Sequence, residues 1–279
     1  MVVMSIARAL STVPRALSRW SGQAGIDSAL VCAGACAAVL VLALASSAPG
    51  ARASARSIGG SSGYVLIYSG PAVCDGCATA IGDVVAAAGL PVRYVARPVK
   101  VPGLLAGARA FVVPGTNDNI EAMRAAFNRS VRPALRTYLR NGGRYWGRCG
   151  GACLAGRHYW ATDTQYVTAL GIIPANTETY SDNADAHLEK VRWNGQPRWM
   201  YYEGGPYFML TSHQGVKILA TYSDGSIAAL SYRYGAGKVI VSGVHPEATL
   251  DWLDEDGIDP SGWQPTFPLA VAMLGDLLS

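Results

Sequence analysis

A glycine-rich stretch, residues 142–156, restricts the local geometry of this chain more than any other part of the sequence. It places Gly147, Cys149 and Gly151 in a Gly-x-Cys-x-Gly pattern, between an apolar strand and a run of small residues expected to be helical. Glycines at these two positions suit a sharp strand-to-helix turn, because a Cβ at either one would collide across the turn. The thiol would then lie at a helix N-terminus, where backbone N–H groups favour a thiolate. The pattern predicts a reactive cysteine on a strained turn; the alternative is a glycine-rich turn that happens to contain a cysteine.

Strands and helices alternate along the first half of the body. Helical spacing is found within residues 74–89 and from Val131 to Leu139, and apolar strands are predicted at 64–68, 92–95, 110–113 and 145–146. Short loops between alternating strands and helices predict an α/β fold, with a doubly wound parallel sheet of the flavodoxin-like type. Ligands of such sheets bind beyond the carboxyl ends of the strands. Three loops are expected at that edge: 69–77, 114–119 and 148–151.

The chain becomes rich in strands from Tyr159 onward. A hairpin signal, Asp224-Gly225, lies in this part, and residues 268–278 read as a closing helix. We predict a β-rich C-terminal insertion within a single domain, residues 64–279. Its candidate strands are 191–193, 199–203, 207–210, 216–222, 227–233 and 238–242.

Charge separates the N-terminal segment from the body. Residues 1–57 carry five arginines and one acidic residue, whereas the remainder balances 18 basic against 18 acidic side chains. A neutral body has no electrostatic footprint for nucleic acid, so we expect no nucleic-acid partner.

An uncharged stretch, residues 28–50, follows the first arginines and precedes small-x-small patterns at 51–55. This arrangement predicts a secretory signal peptide within residues 1–57. The stretch is also long enough to span a bilayer, so an uncleaved anchor in the inner membrane is the alternative. Either reading places the body in the periplasm or outside the cell, after a linker at 58–63.

A buried strand at 238–242 delivers His245 and Glu247, two positions apart. A nucleophilic thiol needs a general base, and an imidazole base needs an acceptor that fixes its tautomer. We therefore predict that Cys149, His245 and Glu247 act together.

At this point the chain resembles a known superfamily. The residues around Cys149 and the tripeptide His245-Pro246-Glu247 resemble the nucleophile and base motifs of class I glutamine amidotransferases. A closer resemblance is to the amidotransferase-like domain at the N-terminus of fungal biotin–protein ligases, a family with stand-alone bacterial members. The segments that carry it are Tyr68–Pro71, Val113–Gly115, Gly142–Tyr145 and Tyr202–Pro206.

The resemblance implies a nucleophile at Cys149, a base at His245 and an orienting carboxylate at Glu247. It also implies an oxyanion and substrate-binding region made by Gly70, Pro71, Gly115, Thr116, Asn117, Arg148, Gly150 and Gly205. Position 116 is threonine where these enzymes usually have a second glycine, and Arg148 stands where a small or apolar residue is common. The implied substrate is a small-molecule or peptide amide, without a cofactor or metal. A biotin-ligase motif is absent from the sequence, so we expect no biotin ligation.

Four cysteines of the body are predicted to meet at one edge of the sheet. Cys74 and Cys77 form a Cys-x-x-Cys motif at a helix start, and Cys149 and Cys153 lie on the glycine-rich turn. A structural disulfide from Cys74 or Cys77, with Cys153 as a candidate partner, is favoured in an oxidising compartment. Zinc binding is less favoured, since a second Cys-x-x-Cys is lacking. Three functions stay open: a cysteine hydrolase, a non-catalytic small-molecule binding module, and a thiol redox protein.

Overall fold

The computed structural model describes residues 63–117, 120–161 and 165–279. The predicted signal or anchor, residues 1–57, and the predicted linker up to residue 62 lie outside these ranges. Among the described residues, no helix is long and apolar enough to cross a membrane.

Five parallel strands form the centre of the sheet, in the order β2-β1-β3-β4-β13. This is the 2-1-3-4-5 order of flavodoxin-like folds, so the predicted fold class is confirmed. The strands are β1 (Tyr64–Tyr68), β2 (Val92–Val95), β3 (Ala108–Val113), β4 (Arg144–Arg148) and β13 (Gly237–Ser242).

Helices cover both faces of this central sheet. Residues of α1 and α7 pack on one face, and residues of α2, α3, α4 and α5 pack on the other. A single 3-10 turn, Pro98–Lys100, precedes α2. The helices are α1 (Cys77–Ala87), α2 (Val101–Leu105), α3 (Ile120–Ser130), α4 (Arg132–Arg140), α5 (Gly150–Ala155), α6 (Leu250–Glu255) and α7 (Phe267–Leu278).

Successive residues of the central strands enter the two cores alternately. In β1, Leu66 and Tyr68 join the core beneath α3 and α4, whereas Val65 and Ile67 join the core beneath α1 and α7. All four side chains are essentially buried. Strands buried on both faces read as continuous apolar runs, which explains why β1 is so evident in the sequence. Each such side chain contributes roughly 1.5–3 kcal/mol by leaving water.

The β-rich part continues the same sheet instead of forming a separate layer. β12 pairs antiparallel with β13, and within the described residues thirteen strands belong to one sheet. Asp224 and Gly225 make the predicted turn between β11 and β12, closed by a bond from Tyr222 N–H to the Ser226 carbonyl. The added strands are β5 (His158–Ala161), β6 (Gln165–Thr168), β7 (Ala175–Thr179), β8 (His187–Trp193), β9 (Gln196–Tyr202), β10 (Pro206–Leu210), β11 (Val216–Tyr222) and β12 (Ile227–Tyr234).

The carboxyl edge of the parallel strands gathers the loops singled out in the sequence. The loop after β1 pairs with the loop after β3 through a bridge between Val73 and Thr116. The turn after β4 joins the end of β13 through a hydrogen bond from Cys149 N–H to the Ser242 carbonyl, 2.9 Å long. Residues far apart in the chain therefore meet at one edge.

Candidate active site

Cys149 occupies a strained backbone position between β4 and α5. Its φ of 43° and ψ of −111° lie in a region that side chains other than glycine rarely adopt. Such a conformation costs on the order of 1–3 kcal/mol and persists only where its surroundings impose it. The cysteine is therefore held on a sharp strand-to-helix turn of the kind that presents nucleophiles.

The two glycines around Cys149 allow the turn to close. A Cβ on Gly147 would lie 2.7 Å from the Gly151 carbonyl oxygen, and a Cβ on Gly151 would overlap the Val113 carbonyl. Hydrogen bonds fix the turn further: Gly151 N–H donates to the Pro114 carbonyl, and the Tyr145 hydroxyl donates to the Gly151 carbonyl. Both glycines are needed for steric reasons, as the sequence pattern predicts.

His245 and Glu247 follow β13, the strand beside β4. His245 Nδ1 and Glu247 Oε1 are 3.0 Å apart, and both side chains are buried. The backbone N–H of His245 donates to the Tyr201 carbonyl, which anchors the loop to β9. A carboxylate at Nδ1 orients the ring, and Nε2 has no hydrogen-bond partner among the described residues. Nε2 is therefore available for proton transfer.

Buried charges set the protonation of this pair. Burial by itself lowers the pKa of His245, but the Glu247 carboxylate and the nearby Cys149 thiol outweigh it and raise that pKa to about 10. Burial likewise opposes ionisation of Glu247, yet the charges of Arg148 and His245 hold its pKa below the usual value. The loop after β13 thus stabilises an imidazolium next to a carboxylate.

Arg148 was predicted to lie in the substrate-binding region, but its side chain lies in the protein interior. Its side chain is fully buried, with Nε 3.4 Å from Glu247 Oε2 and the guanidinium carbon 4.4 Å from the centre of the Trp146 ring. Nη2 lies 3.5 Å from the sulfur of Met273 in α7. Arg148 points to the same face of β4 as Trp146, since side chains two apart share a face. The predicted substrate contact is therefore wrong, and Arg148 acts as a counter-ion for Glu247.

The oxyanion candidates lie close to the elbow. Gly115 is buried, and a Cβ on Gly150 would overlap the side chain of Thr116. Gly150 begins α5, so its N–H has no acceptor within the helix. Asn117 N–H donates to the Ala72 carbonyl, which ties the loop after β3 to the loop after β1. The hydroxyl-bearing side chain of Thr116 therefore covers the first residue of α5.

The three other predicted substrate-binding residues have local structural roles. A Cβ on Gly70 would overlap the Ala96 carbonyl, and exposed Pro71 accepts a hydrogen bond from the Tyr68 hydroxyl. Gly205 is buried, and a Cβ there would overlap the Gly243 carbonyl. Close backbone packing explains the glycine at both positions, and the substrate contacts of Gly70, Pro71 and Gly205 stay predictions.

A cavity of about 540 Å³ opens beside the loop that carries Glu247. The Cys149 thiol donates to the carbonyl of Glu203, 3.4 Å away, and Glu203 also lines this cavity. The Tyr201 hydroxyl lies between two carboxylates, 2.7 Å from Asp256 and 3.4 Å from Glu203. A larger cavity of about 1080 Å³ lies at the opposite edge of the sheet and contains none of the predicted site residues. Of the two cavities, the one beside Glu247 is the one lined by predicted site residues.

Cys74 and Cys77 form a disulfide with each other. The candidate pairing with Cys153 is wrong: Cys153 is a free thiol on α5, and burial raises its pKa above the usual range. Cys149 is also free. In the described part of the chain, no group of three or more His, Cys, Asp or Glu side chains could hold a metal ion.

Sequence reasoning did not single out Tyr201 as a site residue. Its carbonyl holds His245, its ring centre lies 5.7 Å from that of the imidazole, and its hydroxyl reaches into the cavity. The available signal was its position immediately before Tyr202-Glu203-Gly204-Gly205-Pro206, a segment already noted in the sequence. Nothing in the spacing showed that this strand would pair with the loop after β13.

Two families match overlapping parts of the chain. The CobB/CobQ-like glutamine amidotransferase domain matches residues 86–197, and the biotin–protein ligase N-terminal family matches residues 175–263. The first match contains Cys149, and the second contains His245 and Glu247. The matched families therefore agree with the fold and divide the site between them.

Individual proteins give the same result. A cobyric acid synthase of Chloroflexus aggregans is 29% identical over 197 residues, which cover 64% of this chain and 37% of that protein. The solved structure of a glutamine amidotransferase superposes with a TM-score of 0.53 at 19% identity, over 70% of this chain and all of the other. A glutamine amidotransferase from Thermotoga maritima gives 0.51 at 14% identity, over 78% and 97%.

The two family matches and the shared fold support a place for the chain in the class I glutamine amidotransferase-like superfamily. The match with the cobyric acid synthase spans little more than a third of that protein's length. Within this superfamily, the described residues supply an elbow cysteine, a buried histidine–carboxylate pair and an adjoining cavity.

Proposed function

We propose that the protein is a cysteine hydrolase of the amidotransferase-like fold that cleaves an amide bond through a thioester on Cys149. The observation that carries the proposal is the strained backbone of Cys149, next to a histidine whose Nδ1 is held by Glu247 and whose Nε2 is unpartnered. Strain of this kind is characteristic of nucleophiles.

The proposed reaction has two steps. The Cys149 sulfur attacks the amide carbon, and His245 gives a proton to the departing amine, which leaves a thioester. His245 then takes a proton from water, the hydroxide attacks the thioester, and Cys149 is released with a carboxylic acid. The N–H of Gly150, together with backbone near Gly115, stabilises the negative oxygen that forms in each step. Glu247 keeps the imidazole oriented throughout.

The N-terminal sequence supports a location outside the cytoplasm. Basic residues, an uncharged stretch at 28–50 and small-x-small patterns occur in the order of a secretory signal. In this proposal the enzyme acts in the periplasm or is secreted, either free or anchored to the inner membrane by residues 28–50. Determination of the N-terminal residue of protein purified from membrane and soluble fractions tests this location.

A second candidate function is a non-catalytic binding module. It is favoured by Thr116, whose side chain covers Gly150 at the position where the oxyanion must be bound. In that case the cavity beside Glu247 binds a small molecule without turnover.

Turnover of a panel of primary and secondary amides distinguishes the two candidates. The hydrolase predicts release of ammonia or amine, and a covalent adduct on Cys149 that mass spectrometry detects after a rapid acid quench. Cys149→Ala should abolish both signals, whereas Cys153→Ala, which alters the neighbouring free thiol, should retain them. Ligand binding that persists in Cys149→Ala, without turnover in the unmodified protein, would instead support the binding module.

A further inference from the structure

The Cys74–Cys77 disulfide lines the same cavity as Glu203 and Glu247. The two cysteines differ in exposure: Cys74 is half-buried, whereas Cys77 is only 7% exposed. A disulfide with one accessible sulfur offers a single point of attack. The pair therefore has the asymmetry that thiol–disulfide exchange uses.

The position of Cys77 suits a leaving group. It is the first residue of α1, an eleven-residue helix, and Gly76 before it adopts a left-handed conformation with φ of 74°. Unpaired N–H groups at a helix start stabilise a thiolate that forms there. Attack on the Cys74 sulfur thus releases Cys77 as a thiolate, which the N-terminus of α1 stabilises.

The disulfide adds little to the stability of its own loop. It closes the short ring between Cys74 and Cys77, which restricts the unfolded chain far less than a long cross-link does. Backbone hydrogen bonds already hold this loop, from Cys74 N–H to the Gly115 carbonyl and from Asn117 N–H to the Ala72 carbonyl. A purely structural role therefore does not explain why one cysteine of the pair is half-buried and the other is buried.

Gly115 brings the disulfide beside the loop that carries His245. A Cβ on Gly115 would lie 2.9 Å from the Cys74 sulfur, 3.3 Å from the Cys77 sulfur and 3.4 Å from His245 Cε1. Both sulfurs and the imidazole therefore pack against the same side of one glycine. The cavity lined by Glu203 and Glu247 thus gives access to a disulfide that lies beside the imidazole.

We propose that Cys74 and Cys77 form a second reactive centre, which exchanges its disulfide with small thiols that enter the cavity beside Glu247. An incoming thiolate attacks the Cys74 sulfur, the Cys74–Cys77 bond breaks, and Cys77 leaves as a thiolate and takes up a proton. A second thiolate then attacks the incoming sulfur and releases Cys74 as a thiol. The net result is one disulfide reduced to two thiols, and two external thiols oxidised to one disulfide.

The wall of the cavity selects among such thiols by charge. The described residues that line the cavity include seven acidic side chains and no lysine or arginine. The acidic residues are Asp75, Asp83, Glu203, Glu247, Asp251, Glu255 and Asp256. A cavity lined by one sign of charge concentrates ligands of the opposite sign. Cationic aminothiols should therefore exchange faster than anionic thiols of similar size.

The test uses the full chain with Cys149→Ser in every variant, so that its result does not depend on hydrolase activity. Cys77→Ser leaves only Cys74 of the pair, and Cys74→Ser leaves only Cys77. Each protein is incubated with cystamine, the disulfide of cysteamine, and adducts are located by peptide mass mapping. Cys74 should form the mixed disulfide at least about tenfold faster than Cys77, because only its sulfur is accessible. Circular dichroism of each variant verifies that the fold is retained.

A second measurement uses the intact Cys74–Cys77 pair in the Cys149→Ser protein. Dithiothreitol should reduce it without unfolding, and one equivalent of cystamine should reoxidise it with release of two cysteamine molecules. Equal adduct formation at Cys74 and Cys77, or a pair that dithiothreitol reduces only in denaturant, would overturn the proposal. Neither measurement depends on amide hydrolysis, because Cys149 is replaced in every protein tested. The proposed disulfide exchange and the proposed hydrolase activity can therefore fail independently.

Discussion

Arg148 Nε lies 3.4 Å from Glu247 Oε2, and the two buried side chains form an ion pair behind His245. Glu247 therefore faces two cations, with Arg148 at one carboxylate oxygen and His245 at the other. Burial lowers the pKa of Arg148 to about 10, and the Glu247 charge partly opposes that change. The carboxylate that orients the imidazole is itself held in place by a charge from the strand that ends at Cys149.

Arg148→Met should destabilise the protein and displace its pH dependence. Removal of the Arg148 charge leaves the buried Glu247 carboxylate with only His245 to balance its charge. This loss should lower the free energy of unfolding by about 3 kcal/mol at neutral pH. The pKa of Glu247 should rise towards its usual value, since Arg148 helps to lower it. A lowered carboxyl pKa stabilises the fold above the unfolded pKa and ceases to do so on acidification. The difference in unfolding free energy between wild type and variant, measured in urea, should therefore shrink as the pH falls.

The acid limb of the pH–rate profile should move to higher pH in the same variant. Arg148→Met/Glu247→Gln serves as its control, because it removes both charges: stability should return towards the wild-type value while hydrolysis stays low. An Arg148→Met protein with unchanged stability and an unchanged profile would show that the ion pair has no such role.

His245→Gln should slow alkylation of Cys149. The raised pKa of His245, about 10, keeps the imidazolium beside the thiol sulfur across the neutral range. Iodoacetamide should therefore label the wild-type cysteine at pH 6.5 about tenfold faster than in the variant. Above pH 10 the difference should vanish, as the imidazolium loses its proton. Labelling of Cys149 at equal rates in both proteins across this range would argue against an activated thiol.

The contribution of His245 to stability should depend on pH in the opposite direction to that of Glu247. A raised histidine pKa stabilises the folded state fully below the unfolded value of 6.5. The contribution is lost as the pH rises from there through about 10. The stability advantage of wild type over His245→Gln should follow that course in urea titrations.

Gly115→Ala should reduce hydrolysis more than it reduces stability. The new methyl group would lie 2.9 Å from the Cys74 sulfur and 3.3 Å from the Cys77 sulfur, so the backbone at Gly115 or the disulfide must shift. The backbone near Gly115 belongs to the proposed oxyanion site, and its displacement by about 1 Å costs roughly 100-fold in rate. Gly275→Ala in α7 is the matched control, since a Cβ there meets nothing within 4 Å. That substitution should leave kcat unchanged and raise stability by about 0.5–1 kcal/mol.

Gly150→Ala should abolish hydrolysis, because its Cβ would overlap the side chain of Thr116. Thr116→Gly removes the obstructing atoms, so the double variant Gly150→Ala/Thr116→Gly should regain folding and part of its activity. The comparison of kcat in the four proteins measures this coupling. If the double variant is no better than Gly150→Ala, Thr116 is not the obstruction.

The sequence predicted the elements whose information is local. β1 is buried on both faces and reads as an unbroken apolar run, and Gly147, Cys149 and Gly151 describe a turn by themselves. By contrast, α3 buries only Met123 and Phe127, too few apolar residues to mark a helix in advance. The predicted interplay of Cys149, His245 and Glu247 followed from the rule that parallel strands end at one edge.

Features that depend on residues far away in the chain could not be predicted from the local sequence. Arg148 was predicted to bind substrate; its burial depends on an ion pair with Glu247, which another strand delivers. The choice of Cys77 over Cys153 as partner of Cys74 depends on a turn through Gly76, whose φ is 74°. Gly205 looked like a binding residue, but its small size is needed for contact with Gly243.

The parallel pairing of β4 with β13 also governs when the site can exist during synthesis. Residues 149–236 lie between the two strands, so Cys149 leaves the ribosome long before His245 does. Contacts between residues so far apart in the chain form slowly, because a long loop must close first. Until β13 docks, the elbow has neither the bond from Cys149 to Ser242 nor its histidine. A nascent chain therefore carries an incomplete nucleophile, and reactivity appears only as the last central strand completes the sheet.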